Sequence, residues 1–149
     1  MKNKAKYKSL DKLGFMGYRV GNDGSVWSRW RLYWATGGRG GFKSIADGEW
    51  RQLAPGIDNT GHLKIGLMKT GKRYFKLVHR LVLQAFVGPC PKNMQCRHLD
   101  NNPKNNNIEN LKWDTAKNNC KDRSKTSWIN NIHKGSKHYR SKNMETYLR

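Results

Sequence analysis

Acidic residues are scarce in this chain: ten Asp and Glu stand against thirty Lys and Arg in 149 residues, a formal net charge of +20. That imbalance opposes compaction unless a polyanion neutralises it, so nucleic acid is the first partner to consider. Cysteine is scarcer still. Cys90, Cys96 and Cys120 are an odd set with no CxxC pair, which argues against a disulfide framework and a four-Cys zinc knot, and zinc is not expected. No apolar run approaches the ~20 residues of a membrane helix, and the opening MKNKAKYKSL lacks the apolar core of a secretory signal. A cytoplasmic protein with no membrane partner is therefore expected. Hydrophobic residues make up 36%, below the usual share of about 45 to 50%. Six Trp, six Tyr and four Phe are nevertheless too many bulky rings for a disordered basic arm. The expectation is one compact basic unit, or two small ones sharing a core, with looser ends.

Residues 1–12 hold five Lys and one Asp and read as a flexible basic arm. In GYRVGNDGSVWS, the residues Tyr18, Val20, Val26 and Trp27 flank Asn22-Asp23-Gly24, a hairpin pattern. From Arg29 to Glu49, around GGRGG at 37–41, the chain reads as a long loop or insertion; no strand-turn-helix context makes it a phosphate loop. Leu63, Ile65 and Leu67 alternate with polar or small residues, and Thr70-Gly71 turns the chain into Tyr74 to Val78, a second hairpin. Then the period changes: Val78, Leu81, Val82, Ala85 and Phe86 mark one helical face, ended by Gly88-Pro89. A strand from Met94 to His98, an Asn-rich loop, a strand from Leu111 to Asp114 and a helix from Ala116 to about Ser124, capped by Thr115, complete the pattern. Beyond Lys125 the chain is basic and weakly periodic, an arm that orders on DNA. The expected division is a 1–12 arm, a β-rich module over 13–76, a second module over 77–124 and a basic arm over 125–149.

The stretch CRHLDNNPKNNNIENLKWDTAKNNCKD places His98 at the end of a strand, Asn110 twelve residues on in ENL, and Asn119 twenty-one residues on in a helix. With HRLVLQAFVGPCP upstream and GYRVGNDGSVWSR before it, this pattern resembles the HNH nucleases of the phage and intron homing type, over roughly residues 14–123. The resemblance implies an α+β fold: N-terminal β-hairpins and a helix packed on a ββα-metal motif, with a basic C-terminal arm. It also implies a metal-dependent endonuclease acting on double-stranded DNA in a phage-infected bacterial cell, leaving 5′-phosphate and 3′-hydroxyl ends.

Phosphodiester hydrolysis needs an activated water, a cation to offset transition-state charge, and stabilisation of the leaving oxygen. His98 can act as the general base near neutral pH. Asn110 can orient it by bonding nearby backbone, and Asn119 can offer an amide oxygen to one Mg²⁺ or Mn²⁺. In the family the residue before the catalytic His is typically a metal ligand; here it is Arg97, which cannot bind a cation. Asp100, two residues past His98, is the nearest substitute ligand, which leaves Arg97 to grip a phosphate. His79 reads as a supporting residue with a structural hydrogen bond, and His62, His133 and His138 as surface or hydrogen-bonded residues.

Arg19, Arg29, Arg31, Lys64, Lys69, Lys72 and Arg73, on or beside the hairpins, are candidates to meet a DNA groove. Lys121, Arg123, Lys125, Lys134, Lys137, Arg140 and Lys142 are candidates for phosphate contacts. Trp27, Trp30, Trp34 and Trp50 read as core or lid residues rather than base-stacking platforms. Two other readings stay open: a DNA-binding protein that keeps the scaffold without turnover, motivated by Arg97, and an RNA-binding module, motivated by basic ends and aromatics. Monomer and homodimer are equally compatible with the sequence.

Overall fold

A computed structural model describes residues 5–34 and 42–120, with side chains over 5–30 and 48–120. The GGRGG segment, the Arg31 and Trp34 side chains and everything beyond residue 120 lie outside the described residues. So do Lys121, Arg123, Lys125, Lys134, Lys137, Arg140, Lys142, His133 and His138.

Strand β1 (Tyr7–Ser9) pairs with β2 (Tyr18–Gly21), β2 with β3 (Val26–Trp34), and β3 with β4 (Phe42–Gln52), all antiparallel. Period-two alternation puts Tyr18, Val20, Val26 and Ser28 on the buried face, while Arg19 and Trp27 pair on the other. Two sequence expectations are corrected here. The 1–12 segment is not a free arm from Tyr7 onward, because β1 adds an edge strand and Leu10, fully buried, closes a turn through its N–H to the Tyr18 carbonyl at 2.9 Å. The 29–49 segment is not a loop throughout, because β3 and β4 pair as far as Trp34 opposite Phe42, with a register shift between Ser28 and Trp30. Trp, Tyr and Ile at these positions favour extended backbone.

A second antiparallel sheet joins β5 (Gly56–Ile57), β6 (Leu63–Lys69) and β7 (Lys72–Leu77). Thr70 (φ 47°) and Gly71 (φ 76°) both take the positive-φ backbone a two-residue hairpin turn demands. Helix α1 (Val78–Phe86) follows directly, buries Val78, His79, Leu81, Val82 and Leu83, and ends where Val87 and Gly88 both donate to the Leu83 carbonyl. The last unit is β8 (Met94–His98) paired with β9 (Leu111–Thr115), then a helix whose residues 116–120 are described; the Thr115 hydroxyl accepts from the Asn118 N–H at 3.3 Å.

One apolar cluster runs through all of these. Leu10, Phe15, Tyr18, Val20 and Val26 from the first sheet meet Ile65 and Leu67 from the second, the inner face of α1, and Leu111 and Trp113 from β9. Tyr18 adds a polar tie, its hydroxyl accepting the Met68 N–H at 3.0 Å. The segments expected as separate modules thus share a core, and the β8–β9 unit is braced by everything before it.

Because Leu10 is sealed in that core, Leu10→Ala is expected to cost about 2 to 5 kcal/mol in urea unfolding. A change below about 0.5 kcal/mol, the usual effect at an exposed site, would restore the picture of a mobile arm.

Candidate active site and metal centre

The loop between β8 and β9 is built from asparagine hydrogen bonds. Asp100 is its hub: its carboxylate accepts from the Asn102 N–H (2.8 Å), the Asn105 amide (2.7 Å) and the Asn110 amide (2.8 Å), and these bonds hold its pKa below the usual carboxylate value. Asn110 returns the contact, its Oδ1 accepting the Asp100 N–H at 3.0 Å while its amide also donates to the Asn105 carbonyl at 2.9 Å. The expected metal ligand Asp100 is therefore occupied in closing the loop. It does not line the cavity in which His98 sits.

His98, 8% exposed, occupies the last position of β8 opposite Leu111. Its Nε2 meets Asn106 Oδ1 at 3.1 Å, and the Asn106 amide nitrogen is turned to the Lys104 carbonyl at 3.5 Å. An amide oxygen only accepts, so Nε2 carries the ring hydrogen and Nδ1 keeps the lone pair. Asn106 is clamped in turn. A Cβ on Gly24, whose φ is +87°, would stand 2.8 Å from the Asn106 Cβ, and the neighbouring Ile108 N–H donates to the Asn22 carbonyl at 2.8 Å. The first hairpin's turn thus has no room for a larger residue because it presses on the loop that holds His98.

A cavity of about 390 Å³ opens beside the ring, lined by Thr60, His62, Cys96, His98, Asn101, Pro103 and Asn119. Asn119 donates through its amide nitrogen to Gln95 Oε1 at 3.4 Å, which leaves the oxygen as its ligand atom. Cys96 is kept protonated, its pKa pushed up to about 12 by burial, and is not a thiolate ligand. Arg97, expected to grip a phosphate, instead forms a 2.9 Å ion pair with Asp114; the Asn118 amide, Arg97 and the Thr115 N–H hold that carboxyl down at about 2.

Sequence reasoning missed the company His98 keeps. His62, just before β6, and His79, in the first turn of α1, bring their rings to 5.6 and 5.1 Å from the His98 ring and to 4.9 Å from each other. One nitrogen from each lies within 4.8 Å of the others, an arrangement capable of coordinating a divalent metal ion. Residues 36 and 19 positions before His98 give no sequence pattern to flag them. His62 is hydrogen-bonded to Thr60, as its sequence reading allowed, and in addition lines the cavity; the structural hydrogen bond expected of buried His79 is not found at its Nδ1, which has no partner among the described residues.

Of the proposed DNA contacts, Arg19 is stacked 4.3 Å from both the Tyr7 and Trp50 rings and Arg29 lies 5.6 Å from Trp50, so these guanidiniums serve cation–π packing. Lys64 lies 5.8 Å from the exposed Phe75 ring, while Lys72 and Arg73 are exposed at the β6–β7 turn.

The strand, loop, strand and helix around His98 make up the ββα-metal nuclease fold. Residues 76–121 match the family model described as HNH endonuclease. Over 69 residues the chain is 35% identical to the uncharacterized HNH endonuclease L245 of Acanthamoeba polyphaga mimivirus, covering 46% of this chain and 21% of that protein. Over 121 residues it is 31% identical to the DNA endonuclease I-HmuI of Bacillus phage SP01, covering 80% of this chain and 59% of that one. A solved structure concerning DNA binding and cleavage by the HNH homing endonuclease I-HmuI matches at TM-score 0.62 and 29% identity, over 87% of this chain and 66% of that chain. Residues 76–121 of this chain thus carry an HNH endonuclease segment, and the relatives it resembles come from a virus and a phage. It spans 21% of the mimivirus protein and 59% of the phage enzyme.

Burial, reinforced by His98, His62 and Arg80, lowers the His79 pKa to about 3, and burial lowers that of His98 as well. The unfolded chain takes up these protons near pH 6.5 and the folded chain only at lower pH. Stability is then full above pH 6.5 and declines on acidification, by up to about 1.4 kcal/mol per pH unit for each such group. In chelator, urea midpoints between pH 7 and 4 should fall less steeply for His79→Gln than for the native chain; parallel curves would contradict the buried neutral ring.

Proposed function

We propose that this chain is a metal-dependent endonuclease that hydrolyses phosphodiester bonds of double-stranded DNA, with His98 as general base and one Mg²⁺ or Mn²⁺ per site. The observation that carries the reading is the His98 ring, held at Nε2 by Asn106 and facing a cavity that Asn119 also lines. The family model over residues 76–121 and the likeness to a phage DNA endonuclease support it.

His98 is neutral at physiological pH because burial lowers its pKa, so Nδ1 is ready to accept a proton. It takes that proton from a water as the water oxygen bonds to phosphorus. The bond from phosphorus to the 3′ oxygen breaks, and protonation of that oxygen completes a 3′-hydroxyl end opposite a 5′-phosphate. Asn119 would offer its amide oxygen to a hard cation, which would supply positive charge where the phosphate and leaving oxygens become more negative. Asn110 and Asp100 act through the loop, keeping the backbone after His98 in place. Lys72 and Arg73 are placed to meet the duplex, with the net charge of +20 steering the approach.

A second reading has one observation in its favour: among the described residues no carboxylate lines the cavity, so a hard cation gains only a neutral oxygen from the chain. A DNA-binding protein without turnover fits that donor set. Incubation with supercoiled plasmid separates the two. With Mg²⁺ or Mn²⁺ the native chain is expected to yield relaxed or linear DNA, and with EDTA none. His98→Ala should cut at a rate lower by at least about 10²-fold, and Asn119→Ala should need more Mg²⁺ for the same rate. Retention of plasmid with no cleavage in either metal would favour the second reading, and full activity in His98→Ala would remove the first.

A further inference from the structure

Magnesium does not account for the three imidazoles. It takes oxygen ligands in an octahedral shell and keeps several waters, whereas imidazole nitrogens suit borderline ions such as Zn²⁺ and Co²⁺. We propose that His62, His79 and His98 form a three-imidazole site for a transition-metal ion of the zinc class, and that an ion seated there takes the His98 lone pair away from water. The site is thereby a brake on the activity proposed above. Its inhibitory half rests on that reading, whereas ion binding does not.

Three observations support the site. The first is orientation. His62 Nδ1 meets Thr60 Oγ1 at 2.7 Å, and that hydroxyl donates its own hydrogen to Asp58 Oδ1 at 2.7 Å. Thr60 must then accept from His62, so His62 carries hydrogen on Nδ1 and a lone pair on Nε2. Asp58 is fixed by further bonds from the Thr60 and His62 N–H groups, both 2.9 Å. A ligand histidine backed through a hydroxyl by a carboxylate is the arrangement that orients imidazole toward a metal.

The second is His98, which Asn106 fixes in the opposite sense, with Nδ1 as its lone-pair atom. The third is His79, 4% exposed, whose Nδ1 finds no hydrogen-bond partner among the described residues. A buried nitrogen without a partner is costly unless something fills its place. Tetrahedral zinc with bonds of about 2.0 to 2.1 Å sets its ligand nitrogens about 3.3 Å apart. One nitrogen of each ring already lies within 4.8 Å of the others, so about 1.5 Å of closure shared among three rings would complete the shell, with a fourth position left open. The low cysteine count gave no reason to expect such an ion; histidines from the β5–β6 connection, α1 and β8 supply the ligands instead.

Chelator-treated full chain, free of DNA, should be titrated with Zn²⁺ by calorimetry and with Co²⁺ by visible absorption. The native chain is expected to bind one Zn²⁺, and Co²⁺ to show a four-coordinate band without thiolate charge transfer. His62→Gln and His98→Gln should each weaken binding at least about tenfold. Absence of binding, thiolate bands, or affinity unchanged in both variants would overturn the site. In the plasmid assay with Mg²⁺, Zn²⁺ should stop the native chain, and the Zn²⁺ concentration that halves the rate of His62→Gln should be at least tenfold higher. Mg²⁺-dependent cleavage indifferent to site-bound Zn²⁺ would overturn the brake. Full ion binding that depends on His98, in a chain that never cuts, would strike only the nuclease reading.

Discussion

The hydrogen bond between His98 and Asn106, 3.1 Å long and shielded from solvent, decides what the rest of the site can do. It places the ring hydrogen on Nε2, so the other nitrogen becomes the only base the ring offers. The Asn-rich loop, the hairpin turn that presses on it and the shared core all act on this one contact. A ring free to exchange tautomers would divide its lone pair between two directions, whereas the Asn106 bond leaves it on Nδ1 alone. Burial adds to this by disfavouring the imidazolium, so the ring is neutral where it is needed.

The fold explains why so small a unit holds its geometry. Two strands and the start of a helix cannot bury enough surface to stand alone. Here β9 contributes Leu111 and Trp113 to a cluster that also takes Leu10, Val20, Leu67 and Leu81. The first hairpin does more than add area. Gly24 lies so close to Asn106 that a single methyl group would displace it, and Asn22 accepts the Ile108 N–H. Position of the His98 ring is thus set from two sides: by the strand that carries it and by a turn more than seventy residues earlier.

Much of this was legible in the residues alone, for identifiable reasons. Strands β6 and β8, helix α1 and the Thr115 cap followed local rules of period, turn chemistry and capping, which need no knowledge of tertiary contacts. His98, Asn110 and Asn119 were marked by the resemblance of their stretch to the HNH pattern. What was not legible depended on distant pairing. The basic segment before Leu10 looked solvated because its lysines hid one core leucine and an edge strand. Trp30 and Tyr33 sit in a strand that only its partner β4 makes regular. Asp100 looked like a ligand because two-residue spacing puts it on the face of His98, but the chain leaves β8 at His98 and the carboxylate turns into its own loop. His62 and His79 could not be found from spacing, since three separate elements bring them together.

The chemistry open to this site depends on which nitrogen of His98 carries hydrogen. Long-range ¹⁵N–¹H correlation spectra of histidine-labelled chain, recorded near neutral pH in chelator and assigned with His98→Gln, report this directly. A His98 signal of the Nε2–H form, which Asn106→Ala converts to an exchanging mixture, is the predicted result. An Nδ1–H or doubly protonated ring would contradict it, because the lone pair would then be absent from the nitrogen that the proposed mechanism uses as its base.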